Sequence, residues 1–85
     1  MNRRSRLEVY MDIMLALRDS PKSPTKLMYV ANVSWMPVQE CLRNLVTRGI
    51  IIESDHKSRR KVYSLTEKGR NLVDQYRGFM KELVL

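Results

Sequence analysis

SPTKLMYVANVSWMPVQECLRNLVTRG, running from Ser23 to Gly49, is the stretch whose reading decides the fold. It holds two short helices with a tight turn between them. Ser23 is an N-cap residue, and Pro24 falls at the first helical position, where a missing N–H costs nothing because that donor has no partner within the helix. Leu27, Met28, Val30 and Ala31 are available to a core, and this helix is expected over 24–31. Asn32 suits a left-handed exit. Ser34 then caps a second helix, expected over 35–48, in which Pro37 is tolerated because it lies in the first turn. Its inner stripe is Val38, Cys41, Leu42, Leu45 and Val46, and Gly49 ends it in the manner of a glycine C-cap.

Upstream, S-R-L-E opening at Ser5 is a capping box, so a helix is expected over 5–19. Leu7, Tyr10, Ile13, Met14 and Leu17 recur at three- and four-residue spacing and share one face. Asp19-Ser20-Pro21 stops it. Downstream, Ile50-Ile51-Ile52 is short and β-branched, a strand by composition. Asp55 to Arg60 is polar and basic, a hairpin connection, and Lys61-Val62-Tyr63-Ser64-Leu65 alternates with Tyr63 and Leu65 inward. The hairpin is expected over 50–65. Thr66 caps a last helix, 67–84, with Leu65, Leu72, Tyr76, Phe79 and Leu83 on a seam of heptad-like spacing and Val73 and Met80 beside it. The order is helix, helix, helix, hairpin, helix. That is an α+β, mostly α, winged helix-turn-helix arrangement, whose last helix either forms a short dimerisation coiled coil with its copy or packs on the first helix of its own chain.

The chain has 85 residues, room for one domain over 1–85, and 44% of them are hydrophobic against 29% charged, a globular balance. Sixteen Lys and Arg against nine Asp and Glu give +7, which favours a polyanionic partner. One cysteine excludes an intramolecular disulfide, and with one histidine there is no standard zinc set. No signal-peptide core or membrane-length apolar run is present, so the cytoplasm, with the nucleoid, is the expected location.

In this arrangement the outer face of the second helix of the pair enters the major groove. Ser34, Trp35, Met36, Gln39, Glu40, Arg43 and Thr47 are the residues it would present. Arg43 can pair with guanine and Gln39 with adenine; Glu40 either accepts from cytosine or repels phosphate. The hairpin tip, His56-Lys57-Ser58-Arg59-Arg60-Lys61, carries four of the sixteen basic residues and suits phosphate or the minor groove. Arg3, Arg4 and Arg6 make a second basic cluster, read as an arm.

RSRLEVYMDIMLAL (Arg4 to Leu17), PTKLMYVANVSW (Pro24 to Trp35) and YSLTEKGR (Tyr63 to Arg70) together cover about 40% of the chain. In these segments it resembles the short archaeal winged-helix DNA-binding proteins. That family includes the coiled-coil chromatin-associated proteins of Sulfolobus-type archaea and related archaeal transcription regulators. The middle segment is the most specific; T-E-K-G-R is shared by many winged-helix families. The resemblance implies duplex DNA binding through the helix opened by Ser34 and through the wing, and a homodimer formed by the last helix.

The leading expectation is a DNA-binding transcription regulator acting as a homodimer through Leu72, Tyr76, Phe79 and Leu83. An architectural chromatin protein with little sequence preference shares the same charge and fold. A protein-interaction module docking a partner through Trp35, Met36 and the last helix is the different-class rival. Trp35 itself either packs beneath the turn or touches DNA. Cys41 reads as a small core residue, and Tyr10, Tyr29, Tyr63 and Tyr76 as core or seam residues, with no stacking platform for single strands. No enzyme, cofactor, metal, membrane surface or small-molecule ligand is expected.

Overall fold

The computed structural model describes residues 5–55 and 60–84. Ser5 opens α1 (Arg6–Asp19) with a complete capping box: the Glu8 amide donates to the Ser5 hydroxyl at 3.1 Å and the Ser5 amide to Glu8 Oε1 at 3.0 Å. The buried line of α1 is Val9, Ile13, Met14 and Leu17. Leu7, expected on that face, is 65% exposed. The i, i+4 row from Val9 to Leu17 takes the core, and Leu7 lies off it in the first turn.

Ser23 caps α2 (Pro24–Ala31) by accepting from the Lys26 amide at 3.2 Å. Asn32 adopts the left-handed conformation, φ 56° and ψ 47°. Its amide donates to the Tyr29 carbonyl and that of Val33 to the Met28 carbonyl, closing the helix end. Only Leu27 and Ala31 are buried in α2, while Val30 is exposed. Ser34 precedes α3 (Trp35–Thr47) without a side-chain cap hydrogen bond, so its capping role is positional only. Val38, Cys41, Leu42 and Leu45 are buried and Val46, expected with them, is exposed.

Gly49, at φ 72°, turns the chain out of α3 with the same two-bond closure: its amide donates to Val46 and that of Ile50 to Leu45. Because Ile50 is used in this closure, β1 (Ile51–Asp55) starts one residue later than the isoleucine run suggested. It pairs antiparallel with β2 (Lys61–Leu65), in a register that puts Glu53 opposite Tyr63. The sheet has an addition that the sequence did not announce. Lys22 pairs with Tyr63 on the free edge of β2, through reciprocal backbone bonds of 3.1 and 2.8 Å. Leu65, counted on the last helix's seam, is buried in the core instead.

α4 (Glu67–Val84) is anchored at its start. The Thr66 hydroxyl accepts from the Gly69 amide at 3.1 Å and lies 2.7 Å from the Gly49 carbonyl and 3.0 Å from that of Ile50. Lys68 Nζ donates to the Arg48 carbonyl at 2.9 Å. The start of α4 therefore clamps the exit from α3, and Lys68 satisfies the C-cap carbonyl of Arg48 that the helix leaves unpaired. Val73 is fully buried, and Arg18 meets Asp74 at 2.9 Å, holding α1 against α4. Beyond Tyr76 every described side chain of α4 is exposed. No helix among the described residues is long and apolar enough to cross a membrane.

Candidate nucleic-acid interface

With its buried stripe committed to the core, α3 turns Met36, Glu40, Arg43 and Thr47 outward, all exposed, with Ser34 and Trp35 at the leading end. Gln39 is half-buried toward the hairpin. The Thr47 hydroxyl donates back to the Arg43 carbonyl at 2.9 Å, the usual turn-to-turn bond of a helical threonine.

Three depressions surround this face. One lies between α3 and the hairpin and involves Gln39, Arg43, Thr47, Glu53 and Lys61. A second lies toward the start of α1 and joins Arg6 to Met36, Glu40 and Arg43. The third is larger, about 880 Å³, between the start of α2, the start of α3 and β2; Lys26, Tyr29, Trp35, Arg60 and Lys61 line it.

Two features of the face follow from contacts that spacing does not show. Arg6 Nη2 donates to Glu40 Oε1 at 2.9 Å, so the acidic residue of α3 is paired with the start of α1. Both side chains are largely exposed, so the pair contributes little stability, but it fixes where a carboxylate sits on a cationic face. Asn44 Nδ2 donates to Tyr10 Oη at 2.9 Å and fastens the same edge of α3. On the hairpin side, Tyr63 Oη donates to Glu53 Oε2 at 2.7 Å, with Lys61 Nζ 3.8 Å from that oxygen. Burial, then the hydrogen bond and the charge of Glu53, push the Tyr63 phenol up to about 12. The hairpin base is thus braced with its tyrosine neutral.

Of the wing residues singled out from sequence, Arg60 and Lys61 are described and exposed. His56, Lys57, Ser58 and Arg59 lie outside the described residues, as do Arg3 and Arg4 of the basic cluster. Arg6, read as part of an arm, instead opens α1 and lines the depression beside Glu40, while Lys26 and Tyr29 line the groove beside the hairpin, away from the outward residues of α3. Tyr29 reverses its expectation: it is 72% exposed, and neither core nor seam. Trp35 is 46% exposed and lines the groove with it. The buried Cys41 thiol is pushed up, chiefly by desolvation.

The seam residues line none of these three depressions. Leu72, Phe79 and Leu83 are exposed, with Phe79 at 61%, and Tyr76 is half-buried. Leu72 and Tyr76 border an apolar depression that continues across Leu7, Met11 and Met14 of α1. Among the described residues no group of three or more His, Cys, Asp and Glu side chains is placed to hold a metal ion.

A family model described as winged helix-turn-helix matches residues 3–83 of the chain. An uncharacterised protein of Methanocaldococcus jannaschii is 29% identical over 70 residues, which is 82% of this chain and 67% of that protein. MepR, a transcription regulator of the Staphylococcus aureus multidrug efflux pump MepA, matches with a TM-score of 0.83 at 20% identity, over 88% of this chain and 58% of its own. Sso10a-2, a DNA-binding protein from Sulfolobus solfataricus, matches with a TM-score of 0.72 at 25% identity, over 94% of this chain and 85% of its own. The chain spans 52% to 61% of the length of several bacterial structures that share the fold.

Proposed function

The chain belongs to the winged helix-turn-helix family, and on that premise we propose that it is a transcription regulator that binds duplex DNA as a homodimer. The observation that carries the reading is the free outer face of α3. Four core residues hold the helix from behind, while Met36, Glu40, Arg43 and Thr47 stay exposed, with depressions on either side that bring Arg6 and Lys61 beside Arg43.

In this reading α3 lies in the major groove. Arg43 pairs with guanine, Gln39 reads adenine, and Ser34, Trp35 and Met36 meet the bases at the leading end. Glu40, held by Arg6, either accepts from a cytosine amine or rejects sites that bring phosphate close. Arg60 and Lys61, with His56, Lys57 and Arg59, take the flanking phosphates. The stripe of Leu72, Tyr76, Phe79 and Leu83 pairs with its copy, so two reading helices face two half-sites. A net charge of +7 supports the partner, and the nucleoid is where such a protein works. The printed roles of MepR and Sso10a-2 support the class, and the Methanocaldococcus and Sulfolobus likenesses support an archaeal source.

Fluorescence anisotropy on a selected site and on mixed-sequence duplex, over a range of salt, tests the assignment. Arg43→Ala is expected to cost about 1–3 kcal/mol on the selected site and much less on mixed sequence. Arg60→Ala is expected to weaken both and to lower the salt slope by about 0.9. Equal losses from both variants on both duplexes would refute base reading by α3. A selection that yields no consensus would replace the regulator with an architectural protein.

A further inference from the structure

The groove between α2 and the hairpin carries an aromatic ring, Tyr29, and a cation, Lys26, that duplex reading by α3 leaves unused. Leu27 and Ala31 fill the core from α2, and helical geometry turns Tyr29, two positions from each, away from it. Trp35 begins α3 beside it, and both rings line the same open groove. Tyr29 keeps 72% of its surface exposed and Trp35 46%, so both rings have area free for a partner. The rest of the lining is polar and cationic. Lys26 and Arg60 form no ion pair among the described residues, and the positive end of the α2 dipole opens beside them at Ser23 and Pro24. Among the described residues no acidic side chain lines the groove; Glu53 is bonded to Tyr63 and approached by Lys61, and Asp55 stands opposite Lys61 in the hairpin register.

Two aromatic side chains among cations make a surface for bases whose faces are free. In duplex DNA those faces are covered by the neighbouring base pairs, so such a surface can meet only base edges and sugars. Single strands offer the faces themselves, with phosphates at a spacing that cations in the same groove can follow. We propose that this groove binds single-stranded nucleic acid, with bases stacked on Tyr29 and Trp35 and phosphates held by Lys26, Arg60 and Lys61. The groove, about 880 Å³ and open to solvent, admits a strand without displacing any core residue. The activity is distinguished from duplex reading at Tyr29, to which that reading gives no contact, whereas Trp35, Arg60 and Lys61 serve both.

Trp35 is the single tryptophan of the chain, so its fluorescence reports on this groove directly. The full-length protein is titrated with thymidine and uridine homo-oligomers of about ten nucleotides, a length within the usual site sizes. A duplex measured by anisotropy is the parallel arm. Saturable quenching of Trp35 by either oligomer is expected, and the tighter of the two identifies DNA or RNA as the preferred strand. Tyr29→Ala is expected to weaken single-strand binding about 5- to 100-fold, the effect of one lost stack. Tyr29→Phe keeps the ring and the affinity, and duplex affinity stays unchanged in both variants. Tyr29 is so exposed that neither change threatens folding. Absence of quenching, wild-type single-strand affinity in Tyr29→Ala, or an equal loss on single strand and duplex would each overturn the proposal. Loss of duplex binding alone would strike the regulator assignment and leave this groove standing.

Discussion

Replacing Gly69 with alanine sets two physical effects against each other, and the structure says which wins. Gly69 lies in the first turn of α4, and its helical backbone imposes no need for glycine. On propensity alone, alanine stabilises by up to about 1 kcal/mol. A Cβ at this position would nevertheless collide with the Ile50 carbonyl oxygen and come 3.0 Å from Leu65 Cδ2. That carbonyl cannot swing aside freely. It accepts from the Thr66 amide at 3.1 Å and lies 3.0 Å from the Thr66 hydroxyl, and the Ile50 amide closes the end of α3. Overpacking of this kind costs about 1–3 kcal/mol, with about 1 kcal/mol more for each hydrogen bond that opens. Gly69→Ala is therefore expected to lose about 1–3 kcal/mol net. Thermal unfolding followed by circular dichroism would show Tm lower by about 5–20 °C for a domain of this size. Gly78→Ala is the matched control, because a Cβ there meets nothing within 4 Å. It is expected to gain up to about 1 kcal/mol and a few degrees. Both variants are compared at one protein concentration, since association adds stability by mass action. A Gly69→Ala protein that melts at or above the wild type would refute the clamp between α3 and α4.

Tyr63 makes stability fall at high pH. Its phenol is held near 12 in the folded chain against an ordinary 10.0, so above pH 10 the unfolded chain sheds a proton the native one keeps. Each unit between 10 and 12 should remove about 1.4 kcal/mol, a loss that urea titrations at stepped pH would show in the wild type and not in Tyr63→Phe. At the other end of the molecule, Phe79→Lys places a charge in the exposed α4 stripe. It is expected to weaken the proposed dimer about 30-fold or more, as for an anchor residue, with the monomer still folded. Sedimentation equilibrium reads this as a lower average mass, and an unchanged mass would remove α4 as the dimer seam.

Signals that act within a turn or two of backbone were legible in advance. The Ser5 capping box, Ser23 with Pro24, the left-handed Asn32 and the Gly49 closure all appear where residue chemistry put them. So do the buried positions Val38, Cys41, Leu42 and Leu45, because a helix repeats every 3.6 residues whatever surrounds it. Apolar residues at the margins of those stripes were misread. Leu7, Val30 and Val46 have the right spacing and still lie exposed, since periodicity gives a face and not its width.

The chain's own order of residues thus determined the helices, their caps, the hairpin, the basic surplus and the free face of α3, all consequences of local geometry and composition. Only the tertiary structure decided that Lys22 would extend the sheet through Tyr63, that Thr66 and Lys68 would bind the carbonyls ending α3, and that Arg6 would hold Glu40. It also brought Lys26, Tyr29, Trp35 and Arg60 to one groove from three separate parts of the chain. Partners drawn from different elements stand between 6 and 41 positions apart in sequence, Trp35 with Tyr29 and Tyr63 with Lys22 being the extremes. No helical or strand period spans most of that range. Their meeting depends on how α1, α2, α3 and the hairpin pack around a shared core, which is a property of the assembled fold.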